Sequence, residues 1–244
     1  MGRRVTPSAA ANDFQPAWLL HARPYRETSA LAWLLTLETG RVDAVVRGVR
    51  TRKSRYRALL QPFTPLQVSL RGDHQLKTLV GLETTAVPYH YQGESLACAF
   101  YANELISRLL LPGQPCPALF RDYSVLLNLV ASPEDREPAL RRFELSLLDV
   151  LGAAPVWHTS EGESLQPGWY YAWQPEQGWC VVPRPAADSS IYAGEHLLDI
   201  AADSWEEAAT RLAAKRLTRQ LLQPFLGTRP LQSRALYQQL RSSS

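Results

Sequence analysis

The chain has 244 residues, 45% of them hydrophobic and 20% charged, with seven tryptophans; that is enough apolar material for a sizeable core and excludes an intrinsically disordered protein. Its net charge of +3 conceals an asymmetry: residues 1–80 carry 13 Lys and Arg against 5 Asp and Glu, residues 81–244 carry 13 against 18, and two oppositely charged parts suggest two jobs. Cys98, Cys116 and Cys180 are too few and too scattered for a disulfide framework or a Cys₄ metal site, which suits a reducing cytoplasm.

Residues 1–15 read as a flexible leader. Arg3-Arg4 is a twin arginine, but no apolar run of signal-peptide length follows it, and the Met1-Gly2…Thr6 match to a myristoylation pattern has no companion feature. No later stretch approaches a membrane span. From 16 to 88 the pattern is of short strands: Ala17–Arg23, stopping at Pro24, then Ser29–Leu37, Arg41–Gly48, Leu66–Leu70 and Gln75–Pro88, with turns at Gly40 and Arg71-Gly72-Asp73. Five short strands in so little chain predict a small closed barrel rather than a sandwich.

Beyond Pro88 the spacing becomes helical. Helices are predicted over Ser95–Leu111, Pro117–Ala131 and Pro138–Leu151, the last opening on a first-turn proline and closing at Gly152. Residues 155–193 differ in kind: Trp157, Trp169, Trp173 and Trp179 stand among Gly, Pro, Ser and Gln, so short strands and turns are expected there. Helix resumes near Asp203 or Ser204, with Glu206 and Glu207 at capping-box positions, runs to about Pro224, and is followed by a short helix over Gln232–Arg241. The reading is an α+β chain: a barrel over 16–88, a helical domain over 89–154 and 194–244, and a small irregular β insertion over 155–193.

The densest chemical signal is Arg47-Gly-Val-Arg50-Thr-Arg52-Lys53-Ser-Arg55-Tyr56-Arg57, six cations in eleven residues with no acid, directly after a predicted strand. Cations packed so closely repel one another, and a polyanion relieves that repulsion while shedding its own counterions. Nucleic acid is the commonest such partner, and Tyr56 offers a ring for stacking on a base. A solvated basic loop has the same composition. A second set, Arg211, Lys215 and Arg219, recurs at i, i+4 and i+8 on one face of the 203–224 helix with Arg216 beside it. It reads either as a second strand-contacting stripe or as an ordinary exposed face.

At about 100° per residue, Leu140, Phe143, Leu147, Leu148 and Leu151 form one apolar arc of the 138–151 helix. Arg141 falls between Leu145 and Leu148 at its edge, an arrangement suited to gripping a peptide that ends in an apolar side chain and a carboxylate, or to simple snorkelling over the core. Glu144 lies near the middle of the arc and needs a cation, for which Arg108 is the candidate. The five histidines, His21, His74, His90, His158 and His196, show no ligand spacing, and no P-loop, G-x-S-x-G or C-x-x-C occurs. No catalytic or metal constellation is therefore assigned. A nuclease that uses the barrel only to bind substrate is the alternative reading.

The segments LLHARPYRETSALAWLLTLETGRVDAVVRGVR (19–50), LLQPFTPL (59–66), YANELISRLL (101–110), EPALRRFELSLLDVLG (137–152) and AAKRLTRQLLQPFLGTRPLQSRALYQQL (213–240), in this order, resemble the RecO family of bacterial recombination mediators. The resemblance implies an N-terminal OB-fold barrel, a helical domain and a small insertion, and a cytoplasmic, nucleoid-associated DNA repair protein without enzymatic activity. It implies binding of single- and double-stranded DNA, annealing of complementary strands, and loading of RecA together with RecR onto DNA coated by single-stranded-DNA-binding protein. The run 47–57 matches the family's DNA-binding loop region, and Arg141 matches an arginine implicated in holding the coating protein's acidic, Phe-ending tail. Some relatives carry a zinc-binding Cys₄ in the insertion; with Cys180 alone there, this chain is expected to hold its insertion by packing of the Trp-rich stretch, without cofactor or metal.

Overall fold

The computed structural model describes residues 14–183 and 190–242; most of the expected leader (1–13) and residues 184–189 of the insertion lie outside the described residues. The period-2 alternation of the N-terminal part becomes five strands, β1 (Gln15–Tyr25), β2 (Ser29–Thr36), β3 (Gly40–Val46), β4 (Pro65–Arg71) and β5 (Leu76–Thr84). They close in the order β1-β2-β3-β5-β4, every neighbouring pair antiparallel except β3 with β5. Inward positions combine small residues (Ala17, Ala30, Ala32, Ala44) with larger ones (Leu19, Leu34, Leu66, Val68), which lets so few strands curl around a filled interior.

Strand β1 does not stop at Pro24. Beyond Trp18 it pairs with β2 alone, so one of its edges makes no ladder bonds and a residue without an N–H is tolerated there. Its register slips between Leu19 and His21, and the carbonyl of the intervening Leu20 accepts a 3.0 Å hydrogen bond from Asn103 Nδ2. Gly40 turns β2 into β3 with φ +73°, and a Cβ there would lie 1.8 Å from the Gln114 carbonyl oxygen, so position 40 is restricted to glycine on two counts.

The remaining elements are α1 (Gly93–Leu109), α2 (Pro117–Leu129), α3 (Pro133–Val150), β6 (Tyr170–Gln174), β7 (Gly178–Val182), β8 (Ile191–Ala193), α4 (Gly194–Ala201), α5 (Ala208–Leu226) and α6 (Gln232–Ser242). The described residues divide into two compact units: those up to Gln92 together with Asn103–Phe120, and Gly93–Ala102 together with those from Arg121 onward.

Two helix starts depart from the sequence reading. α3 begins at Pro133, because Ser132 Oγ accepts the Asp135 N–H and Glu134 and Asp135 complement the positive helix end; Pro138 then lies inside the helix and forgoes one backbone bond. α5 begins at Ala208, because Asp203 takes a positive φ of 57° and the Ser204 hydroxyl is spent on Glu206. The segment before it forms the separate helix α4.

In the insertion, β7, β6 and β8 make a three-stranded sheet. Trp179, on the edge strand β7, is fully buried; its ring meets Trp173 and Tyr192 edge-on at 5.1 and 5.5 Å, and its Nε1 donates to the Val156 carbonyl. Trp169, by contrast, is exposed. Among the described residues no helix is long and apolar enough to cross a membrane.

Candidate nucleic-acid interface

The cation run forms the connection between β3 and β4. It is a chain of turns rather than an open loop: Thr51 N–H donates to Gly48, Ser54 to Thr51, Arg57 to Ser54 and Leu60 to Tyr56, while Arg50 N–H reaches Thr28 in the β1–β2 turn. Val49 is buried in the barrel core, and Tyr56, Leu59 and Leu60 pack against it. Burial of an aliphatic side chain such as Val49 is worth about 1.5–3 kcal/mol, enough to hold so short a segment over one end of the barrel.

This anchoring sorts the cations. Arg50 Nη1 donates to the carbonyls of Arg26 (3.1 Å) and Glu27 (3.2 Å), so its charge clasps the β3–β4 connection to the β1–β2 turn. Arg55 lies 4.8 Å from the centroid of the Tyr56 ring and donates to its hydroxyl, and that hydroxyl faces the Val80 carbonyl. Tyr56 is thus a partly buried piece of the barrel end with a cation already on its ring. Arg47, Arg52, Lys53 and Arg57 are exposed, and among the described residues none of their side chains has a hydrogen-bond or ion-pair partner. Arg23 adds a cation that sequence reading missed: it lies on β1, exposed, with its guanidinium 5.9 Å from the centroid of the Trp33 ring on β2. Arg41 approaches the same ring at 5.9 Å but is committed to the Leu110 carbonyl and to Asp43. Trp33 is half-buried and pairs with His21 across the β1–β2 ladder, so it is the register that brings Arg23 near its ring.

The second basic set is largely neutralised within its own unit. Arg211 donates to the carbonyls of Trp205 and Glu206 and lies 4.0 Å from Glu137, which also pairs with Lys215 at 3.6 Å. Arg216 lies over the Tyr192 ring at 5.2 Å, and Arg219 is exposed.

Arg141 is only 4% exposed, pairs with Glu144 at 2.9 Å and donates to Thr218 Oγ1. Glu144 also accepts from Tyr101 and Thr218 hydroxyls, so its partners come from α1, α3 and α5 and do not include Arg108, which pairs with Glu104 one turn away. Burial, reinforced by the Glu144 carboxylate, pushes the Tyr101 hydroxyl well above the ordinary tyrosine range and keeps it a proton donor. Leu148 is fully buried and Leu145 half-buried, so of the three residues assigned to the tail only Leu145 has appreciable exposed surface.

One cluster escaped sequence reading because its members come from two helices. His196 and Asp199 on α4 and Glu207 at the start of α5 place ligand-type atoms within 4.8 Å of one another. The buried Thr210 hydroxyl links two of them, donating to Asp199 Oδ2 at 2.8 Å and lying 3.0 Å from His196 Nδ1. A hydroxyl has one proton; with that proton on Asp199, the imidazole must donate from Nδ1. The triad staples α4 to α5.

Comparison with known proteins gives matches over both parts. Residues 14–87 match the family described as Recombination protein O N terminal, and residues 90–235 match Recombination protein O C terminal. The chain is 44% identical over 227 residues to the DNA repair protein RecO of Cellvibrio japonicus, covering 92% of this chain and 96% of that one. It is 40% identical over 229 residues to the DNA repair protein RecO of Pseudoalteromonas atlantica (93% and 95% covered) and 40% identical over 245 residues to that of Methylococcus capsulatus (99% and 98% covered).

Proposed function

Because the chain belongs to the RecO family, we propose that it is a DNA repair protein that binds single- and double-stranded DNA through its barrel, anneals complementary strands and, with RecR, assists loading of RecA onto DNA coated by single-stranded-DNA-binding protein. The observation that carries this reading is the anchored β3–β4 connection, which presents Arg47, Arg52, Lys53 and Arg57 exposed over one end of a closed barrel, their side chains without partners among the described residues. Its mechanism is electrostatic. Two strands approach each other only when their phosphate repulsion is screened, and cations already held in place screen it without first ordering a loop.

Docking of the coating protein's acidic tail is proposed at α3, beside Arg141, Leu145 and Leu148. Arg141 is engaged by Glu144, so a peptide carboxylate has to exchange with that side chain to reach the guanidinium. The 211–219 set has a smaller part in DNA contact on this reading, with Arg219 its exposed member.

The deciding experiment anneals complementary strands already covered by the coating protein, with and without its acidic tail. Acceleration that depends on the chain, and on the tail only for covered strands, supports both halves of the reading; no acceleration of naked strands refutes the first half. The nuclease alternative requires cleavage of labelled DNA in Mg²⁺ that disappears when a single carboxylate, such as Asp199, is replaced by its amide.

A further inference from the structure

Where the β1–β2 hairpin meets the β3–β4 connection, the end of the barrel opens into a pocket of about 340 Å³. The space exists because the strand positions beneath it are small: Pro24 pairs with Ala30 and Ala22 with Ala32, while Val49 and Leu60 close the sides. Ala22 and Leu60 are also packed against the core, so the floor is the top layer of the barrel interior. The rim carries Arg23, Arg50 and Arg57. Arg50 is fixed by its two carbonyl bonds, Arg23 is steadied by the Trp33 ring, and the Arg57 side chain has no partner among the described residues.

An apolar floor at the lower end of the size range of ligand sites, ringed by guanidinium groups, matches the needs of one part of a polyanion. A nucleobase has two apolar π-faces and in-plane polar edges, and arginine planes stack on such faces as readily as they bind phosphate. Small anions need no apolar floor, and an apolar ligand needs no arginines. A duplex cannot enter, because its bases are stacked and paired.

We propose that this pocket seats a single unstacked base of a DNA strand, with the adjoining phosphates on Arg23 and Arg57. The inference rests on the DNA-binding reading above and adds a component that depends on the base and is absent for duplex. Pairing withdraws the base from the pocket, so the chain holds each separate strand more tightly than the annealed product and lets the product go.

The test is fluorescence anisotropy at one salt concentration with three labelled probes: an oligothymidylate, an abasic oligomer of the same length, and a duplex. The wild-type chain is expected to bind the thymidylate about tenfold tighter than the abasic oligomer, the upper end of one unit of stacking being larger still. Ala22→Leu fills the floor without altering any charge; it should bring that ratio to about one while the duplex affinity and the salt slopes stay unchanged. Equal binding of the two oligomers by the wild-type chain, a measurement that needs no variant, overturns the proposal, as does a preference that survives in Ala22→Leu. Failure of the underlying reading looks different: none of the three probes binds with any dependence on salt.

Discussion

Replacing Arg47, Arg52, Lys53 and Arg57 together with Ala removes four exposed cations of the β3–β4 connection whose side chains have no partner among the described residues, and leaves its anchors in place. Each phosphate of a single strand that a cation neutralises contributes about 0.7 to the slope of log affinity against log salt, so these four account for a slope of about −3. All six cations of the run acting alike would give about −4. Measured from a 1 M reference, one such contact is worth about fivefold in affinity at 0.1 M salt, and four together several hundredfold. Arg50→Ala is the contrasting perturbation: it removes the bonds to the Arg26 and Glu27 carbonyls and should lower stability by about 1 kcal/mol, with the slope unchanged. The assay is anisotropy of a labelled oligonucleotide over a salt series, paired with urea denaturation. If Arg50→Ala flattens the slope as much as Arg52→Ala does, Arg50 contacts phosphate and the clasp reasoning is wrong. If the quadruple variant keeps the wild-type slope, DNA does not lie on this connection.

Arg141→Met should cost about 3–5 kcal/mol in urea denaturation, because it strands the buried Glu144 carboxylate; adding Glu144→Gln, which keeps an acceptor for Tyr101 and Thr218, should recover much of that loss. Trp179→Ala should cost about 3–5 kcal/mol and raise amide exchange across the insertion's three strands, since it removes a fully buried ring and the bond to Val156. Burial pushes the Tyr192 hydroxyl up to about 12; a raised folded-state value means its stabilisation is complete below pH 10 and lost as pH rises toward 12, so the thermal midpoint should fall across that window and fall less in Tyr192→Phe. Gly40→Ala should sharply reduce the yield of folded chain, read by circular dichroism, because both its φ and the Gln114 carbonyl oppose a Cβ.

The barrel was legible because short apolar runs, the Gly40 turn and strand length all point the same way. The start of α3 was ambiguous in sequence, since Ser132-Pro133-Glu134-Asp135 and Pro138 both carry start signals; the cap that satisfies a backbone N–H prevailed, and the interior proline was tolerated at the loss of a single bond. In the candidate site, the cation run was visible from composition, but the division between anchoring and exposed cations was not. The partners of Arg50 are backbone carbonyls, which every residue possesses, so only the fold reveals which two it meets. The partner of Glu144 was within reach of sequence reasoning, since Arg141 stands at i−3, a spacing that brings side chains together on a helix, whereas Arg108 already has Glu104 at i−4.

The extra residue at Leu20 acts as a phase converter for β1. Before it, odd-numbered residues face inward (Ala17, Leu19); after it, even-numbered ones do, and Ala22 pairs with inward-facing Ala32. Without that shift His21 and Arg23 would fall on the interior side of a barrel with no room or partner for them. The accessibility of Arg23 therefore depends on a count of residues as much as on its identity. Inserting one residue between His21 and Ala22 would change no cation, yet it would send the arginine toward the core, whereas deleting Leu20 would leave a regular ladder with Arg23 still outward; at this strand the placing of a length change decides its effect.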